Sequence, residues 1–247
     1  MFLRIVFFLS LLNLSFSDDI DDVISNVEYL FKNKQYRKIA ELYPPEEFFT
    51  NSSTYLNKNF DFNYIYAIVF FDAGDFSSSL RMLKKSSTES DLNDLAFFCY
   101  LNLKDFEKAK GELKNIKNKK EELFYSAIFN FSQEDNSKAI KDLESYLDKN
   151  QTYYIEALLL DYTFSFRKES FKFLLEWINK RLYIDRKVRI EKINYEAKKS
   201  SPFKDFLEFK KIMEKDKETA KKELLVLIKE TSSEVIRNLA SYEYRNL

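Results

Sequence analysis

Three segments of this chain align without gaps: DAGDFSSSLRML at 72–83, NLKDFEKAKGEL at 102–113 and SQEDNSKAIKDL at 132–143, each 30 residues beyond the last. A repeat of that length constrains the fold strongly, because each unit is a supersecondary element that buries its apolar face only against its neighbours. Asp75, Asp105 and Asp135 coincide, followed by Ser79, Ala109 and Ala139 and then by Leu83, Leu113 and Leu143. Upstream, Ala67, Phe97 and Ala127 coincide, as do Phe70, Tyr100 and Asn130.

Each column has a physical reading. An aspartate before a helical pattern is a good N-cap, since its carboxylate accepts orphan backbone N–H groups. The small residue four positions later lets a neighbouring helix come close, and the leucine one turn further stays on the same face. The aromatic-rich stretch before each aspartate makes the other helix. Each unit is therefore a helix, a short turn and a second helix. Gly74 falls in that turn, where a left-handed backbone is expected and glycine adopts it at least cost. Lys104 and Glu134 stand at the same place in the next two units. Gly111 falls inside a second helix, where it either permits close packing or weakens the helix by about 1 kcal/mol relative to alanine.

Weaker copies flank the three. YLFKNKQYRKIAELYPP at 29–45 places Tyr36 and Ile39 where Phe76 and Ser79 fall, FRKESFKFLLEWI at 166–178 offers Ser170 as a cap before Leu174 and Ile178, and KDKETAKKELLVLI at 215–228 carries Asp216, Ala220 and Leu224 at the spacings of Asp105, Ala109 and Leu113. An additional helix is expected over 183–199, with Ile184, Val188 and Tyr195 on one face, and a last helix in SEVIRNLASYEYRNL suits the open end of an array. The segment 44–59 is the one long irregular connection and a candidate hinge or partner-facing loop.

Composition supports helices and removes much chemistry. With two glycines and three prolines, the tight turns of an all-β fold are out of reach. Twenty-five phenylalanines and sixteen tyrosines make aromatics the main core material. Forty basic and forty acidic residues balance, so no global field points to nucleic acid. Histidine is absent, which removes the commonest general base and metal ligand, and Cys99 is alone, which precludes an intramolecular disulfide. No phosphate loop, His-Glu-x-x-His or CxxC pattern occurs. The expectation is a protein that is not an enzyme and uses no cofactor, metal or small-molecule substrate; a carboxylate-based glycan hydrolase is the distant alternative. Asp18, Asp19, Asp21 and Asp22 lack the glycine and terminal glutamate of a calcium loop.

The start, MFLRIVFFLSLLNLSFS, has one basic residue, a short apolar run and small residues before acids. It reads as a signal peptide over 1–17, cleaved after Ser17; the apolar run is shorter than the roughly 20 residues a spanning helix needs. An uncleaved anchor is the alternative. No cysteine near the cut marks a lipoprotein. The expected location is the periplasm or envelope of a bacterium. Asn-x-Ser/Thr triplets at Asn51, Asn130 and Asn150 are read as chance, Asn130 because it falls within a helix. The run Arg181, Arg186, Lys187, Arg189 and Lys192 is read as a solvated helix face, with an acidic partner or anionic lipid headgroups as the alternative.

AGDFSSSL, LKDFEKAK and QEDNSKAI resemble the tetratricopeptide repeat, whose units carry a small residue in the first helix, then Gly-Asp-Tyr/Phe, then Ala. The period is 30 residues rather than about 34, Phe97 stands where the small residue belongs, and the closing proline is missing. The resemblance implies an all-α solenoid of about five to six helical hairpins in a single domain over 18–247, best matched over 60–148, with additional and capping helices over 183–247. It also implies protein–protein interaction: a scaffold or adaptor that binds a peptide or helix segment of another exported envelope protein, with stabilisation or assembly of that protein as its effect. A self-associating structural subunit is the second reading. Membrane contact would be peripheral or through an uncleaved signal.

In that family the first helices line a concave surface. Carried over by position, the candidate partner-binding rows are Tyr64, Asp94 and Phe124; Ile68, Phe98 and Ile128; and Phe71, Leu101 and Phe131, with Asp72 at the edge. Aromatics at helical spacing are also what a core is made of, so the rows are either an exposed groove or buried within a tightly curved array. The expectation is that a Phe98→Asp, Phe131→Asp double variant abolishes partner binding without unfolding the chain; loss of its helical melting transition would instead assign both residues to the core.

Overall fold

A computed structural model of the chain describes residues 20–45, 61–86, 92–116, 121–149, 153–180 and 202–247. The expected signal peptide, most of the 44–59 connection, the helix at 183–199 and the basic run from Arg181 lie outside the described residues, as do Asn51 and Asn150.

The described residues are helical throughout, with thirteen α-helices and no strand among them: α1 Ile20–Lys32, α2 Tyr36–Leu42, α3 Phe62–Asp72, α4 Phe76–Leu83, α5 Leu92–Asn102, α6 Phe106–Asn115, α7 Glu122–Ser132, α8 Asn136–Lys149, α9 Tyr154–Phe166, α10 Phe171–Asn179, α11 Pro202–Met213, α12 Lys217–Glu230 and α13 Glu234–Asn246. They fall into two compact units, within Met1–Ser90 and within Asp91–Leu247. In the first unit α1 packs on α2, α2 on α3 and α3 on α4. In the second, each helix from α5 to α9 packs on its successor, α9 also reaches back to α7, and α11, α12 and α13 pack on one another.

One turn recurs. The backbone is left-handed at Lys34 (φ 59°), Gly74 (φ 79°), Lys104 (φ 59°) and Glu134 (φ 63°). At each, the next residue's N–H reaches back to the helix that has just ended: Gln35 to Leu30 and Asp75 to Phe70 at 2.9 Å, Asp105 to Tyr100 at 2.9 Å, Asp135 to Asn130 at 3.0 Å. The left-handed residue's own N–H bonds Phe31, Phe71, Leu101 or Phe131 at 2.9–3.1 Å. This pair of bonds is the Schellman motif, which satisfies carbonyls that the helix end would otherwise orphan. The following helix then starts on its cap: Asp75 accepts from Ser78 N–H at 3.0 Å, Asp105 from Lys108 at 3.3 Å and Asp135 from Lys138 at 3.2 Å. Aromatic pairs close the first two turns edge-on, Phe31 with Tyr36 at 5.5 Å and Phe71 with Phe76 at 5.4 Å.

The flanking copies differ in instructive ways. Asp216 caps α12 through Thr219 N–H at 3.0 Å, and α11 ends three residues before it, as the other first helices do before their aspartates. That turn nevertheless contains no left-handed residue, and Asp216 enters with ψ near 157° rather than the 74° of Asp75 and Asp105. Ser170 does precede α10, but its side chain makes no cap bond. A 3-10 turn, Lys168–Ser170, leads into α10, so Ser170 already has helical backbone angles and cannot fold back as a cap does.

Packing explains the small-residue column. Ser79, Ala109 and Ala139 have no exposure and Ala220 only 1 %, so each lies where a neighbouring helix crosses. The Ser79 hydroxyl is satisfied by donating to the Ala67 carbonyl at 2.7 Å. The second helices α4, α6 and α8 bury one stripe each and leave the rest to solvent. The first helices do not: α3 buries Phe62, Ile65, Tyr66, Ala67, Ile68, Val69 and Phe71, which lie all around its axis. A helix apolar on every side is an interior helix.

Candidate functional site

That difference decides where the carried-over rows fall. Ile68, Phe71, Phe98, Leu101, Phe124 and Ile128 are at most 4 % exposed and Phe131 is 9 % exposed. Their side chains lie in the core, as the buried-array alternative expects of aromatics at helical spacing. In the first unit, Tyr64 is half-buried and Asp72 is exposed at the end of α3. In the second unit Phe98 meets Phe97 and Tyr125 edge-on at 5.1 and 5.5 Å, and Phe124 packs on Tyr146 and Tyr153 at 5.5 and 4.9 Å. Phe131 stacks on Phe164 at 3.8 Å with the rings 9° apart. The structure thus joins Phe98 and Phe124 through Tyr125, and places Phe131 in a separate cluster with Phe164 and Phe171.

Asp94 is half-buried, and its role is visible. The Tyr125 hydroxyl donates to its carboxylate at 3.1 Å, tying α5 to α7. Tyr125 and Tyr153 oxygens lie 3.4 Å apart, and Tyr153 donates to Glu121 at 3.1 Å. Burial, reinforced by Glu121, holds the Tyr153 phenol above its ordinary range, so it remains a neutral donor. Between α7 and α8, Asp142 accepts from Ser126 and from the Asn130 amide, both at 2.7 Å. Asn130 is 6 % exposed, so the glycosylation triplet that begins there is closed in the folded chain.

Sequence reasoning missed a second polar centre, on α9. This helix buries Tyr154, Glu156, Leu158, Asp161 and Phe164 among others, acids included. Lys210 of α11 places its ammonium 3.0 Å from Glu144 of α8 and 3.1 Å from Asp161, which has no exposure. At the end of α9, Arg167 forks onto both oxygens of Glu243 of α13 at 2.9 and 3.0 Å, and the Tyr162 hydroxyl also donates to Glu243. Glu243 is 2 % exposed. The available signal was two carboxylates inside the apolar run YIEALLLDYTFSF. What these arrangements do chemically is to hold helices: Glu243 is matched by Arg167 and Tyr162, Asp142 by Ser126 and Asn130, while Asp161 and Glu144 share Lys210.

The side chains open to a partner are others. Phe173 on α10 is 74 % exposed, Tyr29 on α1 60 %, and Val226 and Tyr242 on α12 and α13 51 % each. Among the described residues no group of three or more Cys, Asp or Glu side chains is placed to hold a metal ion, and no helix is long and apolar enough to cross a membrane. Comparison with protein-family models, curated proteins and solved structures finds no match for this chain.

Proposed function

We propose that the chain is a tetratricopeptide-like helical-hairpin solenoid that serves as a protein–protein adaptor in a bacterial envelope, engaging a helix or peptide segment of another exported protein. The observation that carries the reading is the reuse of one turn. Four left-handed residues, each followed by a helix start and each with the same pair of backbone bonds, support the reading of a repeated helix–turn–helix unit. Such arrays present surface in proportion to their length, and recognition is the ordinary use of that surface.

The aromatic rows support the array from inside, so the partner's contacts fall on what stands outside it. Phe173 is the leading candidate, being large, apolar and three-quarters exposed, with Lys172 and Glu176 exposed beside it on α10. The test is affinity purification of the tagged, full-length chain from its own envelope after mild crosslinking, with mass spectrometry, beside a Phe173→Asp variant. One stoichiometric partner, lost in a variant that keeps its helical melting, is the expected result. Recovery of the chain alone, unaffected by the substitution, would turn the reading to a self-associating subunit.

A further inference from the structure

Helix α9 is an interior helix with a carboxylate at its middle. Asp161 has no exposure, and its Oδ1 has no hydrogen-bond donor among the described residues. Its cation among the described residues, Lys210, is shared with Glu144, and the ammonium is itself only 13 % exposed. Among the described residues two carboxylates thus share one ammonium, which leaves a negative charge without compensation, and this is costly at Asp161, whose side chain is out of water. One proton closes the count. Glu144 keeps 40 % exposure and hence its hydration, so Asp161 is the group that gains most by taking that proton.

We propose that packing of α11 onto α8 and α9 takes up one proton at Asp161, which makes this contact a latch that tightens as the surroundings become weakly acidic. The proton passes from solvent to the Asp161 carboxylate, and the neutral acid then lies beside a balanced Lys210–Glu144 pair. Among the described residues, the charges that act on Asp161 are Lys210 from α11 and Glu144 from α8. On α13, Glu243 is compensated by Arg167. Burial pushes Asp161 up to about 6 against the pull of Lys210. Lys210 is drawn down by burial but held above its ordinary value by Asp161 and Glu144, so it stays charged across the range.

The direction follows from proton linkage. With α11 undocked, Asp161 meets water and titrates near its ordinary value of about 3.9. Between that value and about 6 the docked state binds a proton that the open state lacks, so docking strengthens as pH falls across this window and weakens as pH rises through about 6. Over the whole window the ratio of docked to open chain changes roughly a hundredfold.

The test is carbon-detected NMR of the aspartate carboxyls in the full chain, with Asp161→Asn to assign the resonance. A carboxyl titrating near 6 is expected, and one titrating near 4 would overturn the proposal. The unfolding constants of wild type and Asp161→Asn, compared from about pH 7.5 to about pH 4, should diverge by roughly a hundredfold, wild type gaining in acid. A ratio that stays flat overturns it as well. Should the variant not fold, amide-exchange protection of α11 relative to α3 in the wild type takes its place: a rise on acidification supports the latch, and none refutes it.

Discussion

Gly111 sits inside α6, and a methyl group added there would meet nothing within 4 Å. Close packing is therefore not its reason for being glycine, and Gly111→Ala should stabilise the chain by about 1 kcal/mol, read as a higher urea midpoint. Gly74 is also surrounded by open space, yet its φ of 79° makes the opposite prediction. Gly74→Ala should destabilise by about 1 kcal/mol, because an L side chain must adopt a left-handed backbone. Lys104 and Glu134 already bear that strain, so Lys104→Gly should recover a comparable amount on the same urea titration. The glycine was legible in the sequence because Gly-Asp before a helix is a turn signal. The equivalent places at Lys34, Lys104 and Glu134 were legible only by register, since nothing about lysine or glutamate marks a left-handed residue.

At the scale of the element, caps and faces behave differently under substitution. Asp75→Ala removes a side-chain bond to an orphan N–H and should cost about 1 kcal/mol, whereas Ser170→Ala, which loses no such bond, should stay within about 0.5 kcal/mol. Backbone N–H donation from Ser78 lowers the Asp75 carboxyl, with the Ser78 hydroxyl adding to it, so this cap's contribution is present above the ordinary carboxylate range and fades in stronger acid. The first helices are where sequence left a choice open. FNYIYAIVFFD offers almost no polar face, and such a helix has no side to leave in water. The rows drawn through it were therefore core in any packing that covers both of its flanks, as α2 and α4 do. For this reason Phe98→Asp with Phe131→Asp should abolish the cooperative helical transition in circular dichroism, each substitution placing a carboxylate among packed rings. A double variant that melts like the wild type would show that the rows tolerate charge and face outward.

At the scale of the molecule, the second unit depends on pairings that no local pattern announces. Arg167 and Glu243 are 76 residues apart, and with forty acids and forty bases in the chain any one pair is invisible in the sequence. Hairpins read from register, while the docking of α13 onto α9 rests on single side chains placed by the fold. Glu243 is 2 % exposed and Arg167 keeps about a third of its surface in water. Arg167→Ala leaves a buried carboxylate with the Tyr162 hydroxyl as its remaining neighbour from this fork, so the loss should fall at or below the lower end of the roughly 3–5 kcal/mol typical of a broken buried pair. Glu243→Gln should cost less, because the amide can still accept from Tyr162. Replacing both Arg167 and Glu243 by methionine should recover most of the loss, since an apolar pair carries no desolvation cost. Denaturant midpoints of the two single variants and the methionine double variant decide the matter. If the double variant is no more stable than Arg167→Ala, the fork acts through its geometry rather than by compensating a buried charge.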